Sequence, residues 1–516
     1  MIGISEFYMS IAKILSATTS GLDALPIEVE ADLSNGLPTF TIVGLPDKAV
    51  EEARERVRSA IKNSNLQFPP KRITVNLAPA AVRKEGPIFD LAIAISLLSA
   101  MGSVTRDITD SLFIGELSLE GQLRYTNGVL SIVHFASLNG FKKVFLPVDN
   151  LAEAKIVSGI DIYPAQNLLE VYYHLRGEKE IMPIRDTGIK LSEEDDNSCL
   201  DLSYIKGQEF AKRALTIAAA GAHNILLFGP PGSGKTMLAR SLPGIMPPLD
   251  FEEMLEVTKI YSVAGLLGGS KEIISRRPFR SPHHTSSDIS LVGGGRYPRP
   301  GEITLAHRGV LFLDELPEFS RSVLEVLRQP LEDGVVNVAR ATQSVTFPAQ
   351  FLLVASQNPC PCGYLGDKTK NCVCTPSQIA RYKKKISGPL VDRIDLHLEV
   401  PRVEIEKLSN KSVVGESGAI KKLVNAARER QRKRFQNSPI KYNAEMTQKE
   451  INELVVMQEN AGALLKEAAK SLNLSARSYF RVIKLAQTIA DLDQEDKILE
   501  KHVAEALQYR PRTNYC

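Results

Sequence analysis

A glycine-rich segment at residues 229–237 has the residue types and spacing of a loop that binds nucleotide phosphates. It follows the apolar run 225–228 and consists of Gly229, Pro230, Pro231, Gly232, Ser233, Gly234, Lys235, Thr236 and Met237. Such a loop turns backbone N–H groups toward phosphate oxygens, while its lysine adds a positive charge and its threonine hydroxyl can bind Mg²⁺. A simple turn between a strand and a helix is the alternative. Because strand-like and helix-like sequences flank the motif, we predict ATP and Mg²⁺ as cofactors.

Two carboxylates and one amide follow later apolar runs. Residues 310–315 read VLFLDE, so a predicted strand ends at Asp314 and Glu315, and the run 351–357 ends at Asn358. We expect Asp314 to hold Mg²⁺, Glu315 to polarise the attacking water and Asn358 to orient that water beside the γ-phosphate. A strand that merely ends in two acids is the alternative. With the glycine-rich motif upstream, the pattern favours nucleotide hydrolysis.

The elements that must position these residues alternate as in an α/β protein. The chain has 516 residues, of which 43% are hydrophobic and 24% charged, and these values predict packed cores in about three domains. Shifts in composition and pattern predict an N-terminal α/β domain at 1–185, a polar, acidic linker at 186–200, an ATPase core at 201–405 and a helical domain at 406–516.

Composition also limits the cellular environment and the kinds of partner that we expect for this chain. The formal net charge is +3, so any nucleic-acid binding must depend on local basic features. The chain has six cysteines, four of them clustered, and no signal-like opening or membrane-length apolar run, which favours a cytoplasmic protein over a disulfide scaffold. Basic clusters at 381–385, 428–435 and 510–512 suit sequence-independent phosphate contacts, although solvated surfaces are the alternative.

The motifs, in this order, resemble those of AAA+ ATPases. Residues 386–400 look like the segment that presents an arginine finger, here Arg393, to the nucleotide of a neighbouring subunit, and this implies a ring. Residues 474–481, LSARSYFR, resemble the second sensor motif, whose arginine would be Arg477. Surface ion pairs are the alternative for both arginines. The resemblance implies a P-loop αβα sandwich followed by a helical lid.

Two insertions refine the resemblance. Asp314 lies 79 positions after Lys235, and the intervening sequence looks like the helix-2 insert of the clade that contains magnesium chelatase and the replicative MCM helicases. Residues 335–350 resemble a pre-sensor-1 hairpin, which in ring translocases points into the central pore. The resemblance implies that Arg340, near the predicted tip, contacts DNA phosphates. An exposed tip without a ligand is the alternative.

Longer segments resemble the YifB/ComM family of magnesium-chelatase-like ATPases over nearly the whole chain. They are RPFRSPHHTSSDISLVGGG, PGEITLAHRGVLFLDELPEF, NPCPCGYLGD and SGPLVDRIDLHLEV. The resemblance implies a hexameric ring helicase that binds single-stranded or branched DNA and migrates DNA branches when transforming DNA is integrated. It also implies a magnesium-chelatase type of C-terminal lid. A chelatase-like remodeller of a partner protein and an ATP-dependent protease are the competing hypotheses.

The N-terminal domain resembles the proteolytic domain of Lon, which has a ribosomal-protein-S5-like fold and a Ser-Lys dyad. In this chain, Ile88 stands where the serine belongs and Leu130 stands near the place of the lysine. Neither side chain can act as a nucleophile or a base. We therefore predict a degenerate domain without protease activity, and a shifted register that uses Ser131 and Lys84 is the alternative.

Four cysteines form a separate candidate site. Cys360, Cys362, Cys372 and Cys374 have the spacing CxC-x9-CxC in a segment rich in proline and glycine. Four thiolates can bind Zn²⁺ in a tetrahedron and brace the loop after Asn358, although the spacing departs from the usual CxxC pairs. Reduced thiols packed in a loop and a redox pair are the alternatives.

Overall fold

The computed structural model describes residues 11–185, 200–267, 273–295, 298–339, 344–367, 370–403 and 416–510. Contacts between Cα atoms divide the chain into two compact units. The first consists of Met1–Leu191 and Phe251–Ile274, and the second consists of Ser192–Asp250 and Ser275–Cys516. Among the described residues, no helix is long and apolar enough to cross a membrane.

The N-terminal unit is built on a seven-stranded mixed sheet with the strand order β3-β4-β2-β1-β5-β8-β9. Its strands, with the short pair β6 and β7, are β1 Ile11–Ser20, β2 Asp23–Ser34, β3 Thr39–Val43, β4 Arg72–Ala78, β5 Ser111–Phe113, β6 Glu116–Leu117, β7 Leu123–Arg124, β8 Lys143–Pro147 and β9 Asp161–Ala165. Its helices are Lys48–Asn63, Asp90–Ala100, Val129–Leu138, Leu151–Ala154, Leu168–Arg176 and Phe251–Ala264. The predicted α/β architecture with mixed strands is confirmed.

The degenerate dyad positions lie in the core of this unit. Ile88 is 8% exposed and Leu130 is fully buried. Burial lowers the pKa of Lys84, whose amine donates to the carbonyl of Pro79. The buried Ser131 hydroxyl has no hydrogen-bond partner among the described residues, so no hydrogen bond joins it to Lys84.

The helix Phe251–Ala264 belongs to the N-terminal unit, although in sequence it follows the glycine-rich segment 229–237, which is called the P-loop below. The Ser262 carbonyl accepts a hydrogen bond from the Gly128 N–H at 3.2 Å, and its hydroxyl donates to the buried Glu153 carboxylate at 2.5 Å. Lys259 Nζ lies 3.0 Å from His134 Nδ1. Part of the predicted helix-2 insert therefore completes the fold of the N-terminal unit, a partition that sequence periodicity does not predict.

The second unit contains a five-stranded sheet with the order β11-β14-β17-β10-β18, in which every pair of neighbours is parallel. Its strands and two short hairpins are β10 Ile225–Phe228, β11 Phe279–Arg280, β12 Gly293–Gly294, β13 Arg299–Pro300, β14 Val310–Leu313, β15 Val335–Ala339, β16 Ser344–Pro348, β17 Leu352–Gln357 and β18 Leu396–Glu399. The three strands that precede the candidate site residues are largely buried and largely apolar, as a parallel sheet covered on both faces requires.

Helices surround this sheet and form the C-terminal part of the unit. They are Glu209–Gly221, Lys235–Ile245, Asp288–Val292, Glu302–Leu305, Arg321–Val326, Arg328–Asp333, Pro376–Lys383, Gly388–Val391, Glu416–Arg434, Gln448–Leu454, Glu459–Ser471, Ala476–Leu492 and Glu500–Gln508. Buried residues of the last helices, including Val424, Leu465 and Ile489, share one apolar core with Ile225 and Leu227 of the sheet. The predicted C-terminal helical region is thus confirmed.

The predicted hairpin before Asn358 has its two strands. β15 pairs antiparallel with β16, and the last pair in the register is Ala339 with Ser344. The proposed DNA contact, Arg340, lies outside the described residues.

Candidate active site

The predicted nucleotide-binding residues converge on one edge of the parallel sheet. β10 ends before the P-loop, the neighbouring β17 ends before Asn358, and β14 ends before Asp314. Because parallel strands place their carboxyl ends at the same edge, three segments far apart in sequence meet there. This edge is where ligands bind in open α/β sheets.

The P-loop lysine is held over the sheet edge by its own loop and by the amide of Asn358. Lys235 Nζ donates to the carbonyls of Gly229 at 2.7 Å and Pro230 at 2.9 Å, and to Asn358 Oδ1 at 3.1 Å. Burial lowers the pKa of Lys235 to about 8, against the opposing effect of the Asp314 and Glu315 carboxylates. A triphosphate is the kind of anion that would restore the full charge of such a lysine.

The two predicted carboxylates lie beside the start of the P-loop helix. Thr236 Oγ1 donates to Asp314 Oδ2 at 3.2 Å, so the two expected Mg²⁺ ligands are adjacent. Glu315 is exposed and has a left-handed backbone with φ of 52°, which ends the strand abruptly. The Glu315 side chain is therefore exposed at the end of β14.

Ser356 is a positioning residue that sequence reasoning missed. Its hydroxyl donates to Asp314 Oδ1 and accepts from the Glu315 N–H at 3.0 Å, so it ties both carboxylate residues to β17. The residue is fully buried. The available signal was a polar residue directly after the apolar run 351–355, two positions before Asn358.

The donors present at this edge fit a magnesium nucleotide. Gly232 and Gly234 have φ angles of 75° and 87°, and the helix Lys235–Ile245 begins directly after them, so backbone N–H groups are available for phosphates. The loop also contains a buried polar atom without a partner among the described residues, Ser233 Oγ. Gln208, a second residue missed from sequence, donates to the Ser233 carbonyl at 2.7 Å and steadies the loop.

The two predicted arginines lie elsewhere in the same unit, around one cavity of about 690 Å³. The cavity lining includes Arg393 and Arg477 but none of residues 229–237, and neither Asp314, Glu315 nor Asn358, all of which the structure describes. Its cationic lining residues are Arg277, Arg308, Arg393, Arg428, Arg477, Arg481 and Lys484. Its carboxylates are Glu332, Asp333, Asp392, Asp395 and Glu445. The P-loop and the two carboxylates of the same chain therefore do not line this cavity.

The arginines of this cavity differ in how they are held. Arg393 donates to the Pro389 carbonyl at 2.6 Å and to the Glu332 carboxylate. Arg481 is 8% exposed and bonds to the Asp392 carbonyl and to Asp395, 3.2 Å away, so it is part of the internal structure. Arg477 is exposed, which suits a group that contacts a ligand from outside the chain.

The four cysteines form a compact cluster. Their Sγ atoms all lie within 4.8 Å of one another, with Cys360 at 3.3 Å from Cys362 and 3.6 Å from Cys372. A tetrahedral zinc site, with Zn–S of about 2.3 Å, has S···S distances of about 3.8 Å, whereas a disulfide has about 2.0 Å. The cluster therefore fits a four-thiolate metal site and contains no disulfide.

Electrostatics in the cluster also suit a cation. Backbone N–H groups of Tyr364 and Val373 lower the pKa of the Cys362 thiol to about 6. The Cys374 N–H favours the Cys372 thiolate, yet burial and the sulfurs of Cys360 and Cys362 raise the pKa of Cys372 to about 12. Adjacent thiolates repel one another, and a bound divalent cation removes that penalty.

Three family models match most of the chain. The model described as "Magnesium chelatase, subunit ChlI" matches residues 201–408, "Subunit ChlI of Mg-chelatase" matches 29–150, and "Magnesium chelatase, subunit ChlI C-terminal" matches 415–510. The first match contains the whole sheet edge described above, and the third contains Arg477.

Individual relatives are similar over nearly their full length. The chain is 44% identical over 509 residues to competence protein ComM of Haemophilus influenzae, which covers 97% of this chain and 98% of the relative. It is 45% identical over 505 residues to the uncharacterized protein YifB of Escherichia coli, with 97% of each covered. The magnesium-chelatase 38 kDa subunit of Rhodobacter capsulatus is 28% identical over 175 residues, which are 30% of this chain. This chain therefore belongs to the YifB/ComM family of magnesium-chelatase-like AAA+ ATPases, and ATP with Mg²⁺ is the cofactor that the family implies.

Proposed function

We propose that this chain assembles in the cytoplasm into a hexameric ring, and that ATP hydrolysis in the ring drives branch migration of DNA during homologous recombination in natural transformation. The observation that carries the proposal is the placement of Arg393 and Arg477 in a cavity that excludes the P-loop of their own chain. The similarity to competence protein ComM over 97% of the chain supports the DNA role.

Each residue at the sheet edge has a defined task in this proposal. The P-loop N–H groups and Lys235 bind the phosphates, while the oxygens of Thr236 and Asp314 hold Mg²⁺, which neutralises charge on the phosphates when bound. Glu315 polarises the attacking water, and Asn358 orients it from the end of β17. The hydrogen bond from Lys235 to Asn358 supports a shared position beside the terminal phosphate.

The arginines complete the site from a neighbouring chain. Arg393 and Arg477 line one cavity of the unit, and Arg477 is exposed. Their charges would stabilise the transferred phosphoryl group of the adjacent subunit, as arginine fingers supplied in trans do. In a head-to-tail ring, each chain gives its arginines to one neighbour and receives those of the other.

DNA contact is proposed through the backbone of the nucleic acid, independent of base sequence. The pairing of β15 with β16 supports a pore-loop hairpin, and Arg340, which follows β15 in sequence, is the proposed phosphate contact. The basic run 428–435 is a weaker candidate, because Arg430 bonds to Asp496 and Arg434 bonds to the buried Asp491 within the chain. Phosphate contacts of this kind make binding fall steeply with salt.

We also propose that the cysteine cluster holds a structural Zn²⁺ ion. The Sγ geometry supports four thiolate ligands, and Cys360 is fully buried, as in a closed site without an open coordination position. Metal analysis of the purified chain should find about one zinc per chain. The substitution Cys372→Ser should abolish zinc binding.

The deciding experiment measures steady-state ATP hydrolysis without DNA, with single-stranded DNA and with a forked junction. Strand exchange is measured on the forked junction. DNA should stimulate hydrolysis, and the junction should migrate only with ATP. The Lys235→Ala variant is the control for ATP-dependent movement. Mass measurement of the complex on forked DNA should give six chains. Suppose that neither single-stranded DNA nor the forked junction stimulates hydrolysis, and that neither binds to the chain at low salt. The alternative of a chelatase-like remodeller of a partner protein then replaces the DNA motor.

A further inference from the structure

The loop that carries the cysteine cluster is in direct contact with the P-loop. Gly363, next to Cys362, has φ of 84°, and a Cβ added there would lie 2.5 Å from Cγ and 2.6 Å from Cδ of Pro231. Real Cβ atoms do not approach carbon this closely, so only glycine allows the two loops to pack as they do. A displacement of the cysteine loop would therefore move Pro231.

A second connection runs through Asn358, which lies two residues before Cys360. Its side-chain oxygen accepts the hydrogen bond from Lys235 at 3.1 Å. The Gly363 N–H donates to the Cys360 carbonyl at 2.9 Å, so the segment from Asn358 to Gly363 folds back on itself. This segment touches the P-loop at both ends and contains two of the four cysteines.

All four cysteines of this loop are free thiols. Cys362 and Cys372 come from opposite ends of a loop, and their sulfurs are 3.6 Å apart without a covalent bond. A metal bound by four thiolates would join the two ends of the loop and hold Cys360 and Cys362 at fixed separation. The contacts of Asn358 and Gly363 with the P-loop would then be fixed as well.

We propose that a soft divalent cation at the four thiolates sets the positions of Pro231 and Asn358 and thereby raises the affinity of the P-loop for nucleotide. This inference rests on the proposed ATPase and on the proposed zinc site. By linkage, a nucleotide that binds tighter when the metal is present must tighten the metal by the same factor. The coupling should lie in the common range of about 5–150-fold.

The experiment compares the zinc-loaded and zinc-depleted chain in binding a fluorescent, non-hydrolysable ATP analogue. Depletion should raise the Kd of the analogue at least about 5-fold. Competition with a zinc-binding dye should show that the analogue tightens zinc by the same factor. Circular dichroism of both forms must show the same fold.

Two glycines of the loop provide a matched pair of variants. Gly363→Ala and Gly366→Ala impose the same kind of backbone strain, because the φ angles are 84° and 79°, but an added Cβ at Gly366 meets nothing within 4 Å. Both variants should bind one zinc per chain. In Gly363→Ala, the Kd of the analogue should rise and should no longer depend on zinc. In Gly366→Ala, the Kd should depend on zinc as it does in the wild type.

The outcomes distinguish a failure of the coupling from a failure of the proposed zinc site or of the proposed ATPase. Equal Kd values for the zinc-loaded and zinc-depleted wild-type chain would overturn the coupling and leave the ATPase intact. Failure of zinc to bind on titration would overturn both the metal site and the coupling. A wild-type chain that binds zinc but no ATP analogue in either form would instead overturn the proposed ATPase.

Discussion

The sheet edge and the arginine cavity hold catalytic groups in different ways. At the edge, groups from separate segments bond to one another, with Thr236 3.2 Å from Asp314 and Lys235 3.1 Å from Asn358. In the cavity, Arg393 bonds to the Pro389 carbonyl and the Glu332 carboxylate, and Arg477 is exposed. This difference is what the proposed shared site requires, in which one chain binds the nucleotide and a neighbouring chain supplies the arginines.

The largest effect should come from breaking the sheet edge. Lys235→Ala removes the charge that faces the phosphates, and we expect loss of detectable ATP binding and a fall in hydrolysis of at least about 10²-fold. Binding of a fluorescent ATP analogue and release of phosphate measure the two effects. Retention of ATP binding within threefold would show that the P-loop lysine is not the phosphate contact.

The next largest effect should come from the exposed arginine of the cavity. Arg477→Ala removes a charged hydrogen bond worth about 1.5–3 kcal/mol, so kcat should fall about 10- to 100-fold. At a concentration too low for assembly, the Arg477→Ala chain should bind ATP as the wild type does, because its own P-loop is unchanged. Arg432→Ala, an exposed arginine paired with Glu429, is the control. Weakened ATP binding by the dilute variant would place Arg477 at its own P-loop and remove the contrast.

A smaller effect should follow from loss of the serine that steadies the two carboxylates. Ser356→Ala removes its hydrogen bonds to Asp314 and to the Glu315 N–H. We expect the Mg²⁺ concentration for half-maximal hydrolysis to rise about 10-fold, as when a group behind a metal ligand is lost. Ser241→Ala is the control, because that buried hydroxyl bonds to Leu238 instead. An unchanged Mg²⁺ dependence would contradict the role given to Ser356.

The smallest effect concerns the charge of the buried lysine. With a pKa of about 8, Lys235 is half neutral at pH 8 in the free chain, and bound phosphates should keep it protonated. ATP binding at pH 8 should therefore take up about half a proton, and affinity should fall as the pH rises above 8. Calorimetry in buffers of different ionisation enthalpy measures the uptake. Lys235→Arg should abolish this contribution, and equal uptake by both chains would refute it.

Much of the sheet edge is predictable from sequence because its chemistry requires particular residue types at fixed spacing. The P-loop, the two acids after β14 and Asn358 after β17 all lie where the strand pattern places them. Ser356 and Gln208 are not predictable, since a single serine or glutamine has many possible roles until packing shows its partners. The same is true of Gly363, whose contact with Pro231 joins segments more than a hundred residues apart.

Sequence reasoning was weakest where packing alone decides the arrangement. The helix Phe251–Ala264 looks like part of an ATPase insertion, yet its buried Ser262 bonds to Glu153 of the N-terminal unit. The motifs of Arg393 and Arg477 identify the residues but do not reveal that both line one cavity. Periodicity describes single elements, and these features arise from contacts between elements.

The central claim is that each active site is shared between two chains, and mixing two inactive variants tests it most directly. Glu315→Gln retains Arg393 but cannot activate water, while Arg393→Ala retains Glu315 but lacks the finger. Random co-assembly of equal amounts should restore hydrolysis at about a quarter of the interfaces, those that pair an intact Glu315 with a neighbouring intact Arg393. Differently tagged chains verify that mixed assemblies form. Activity of such assemblies no higher than that of the two variants measured separately would contradict the account.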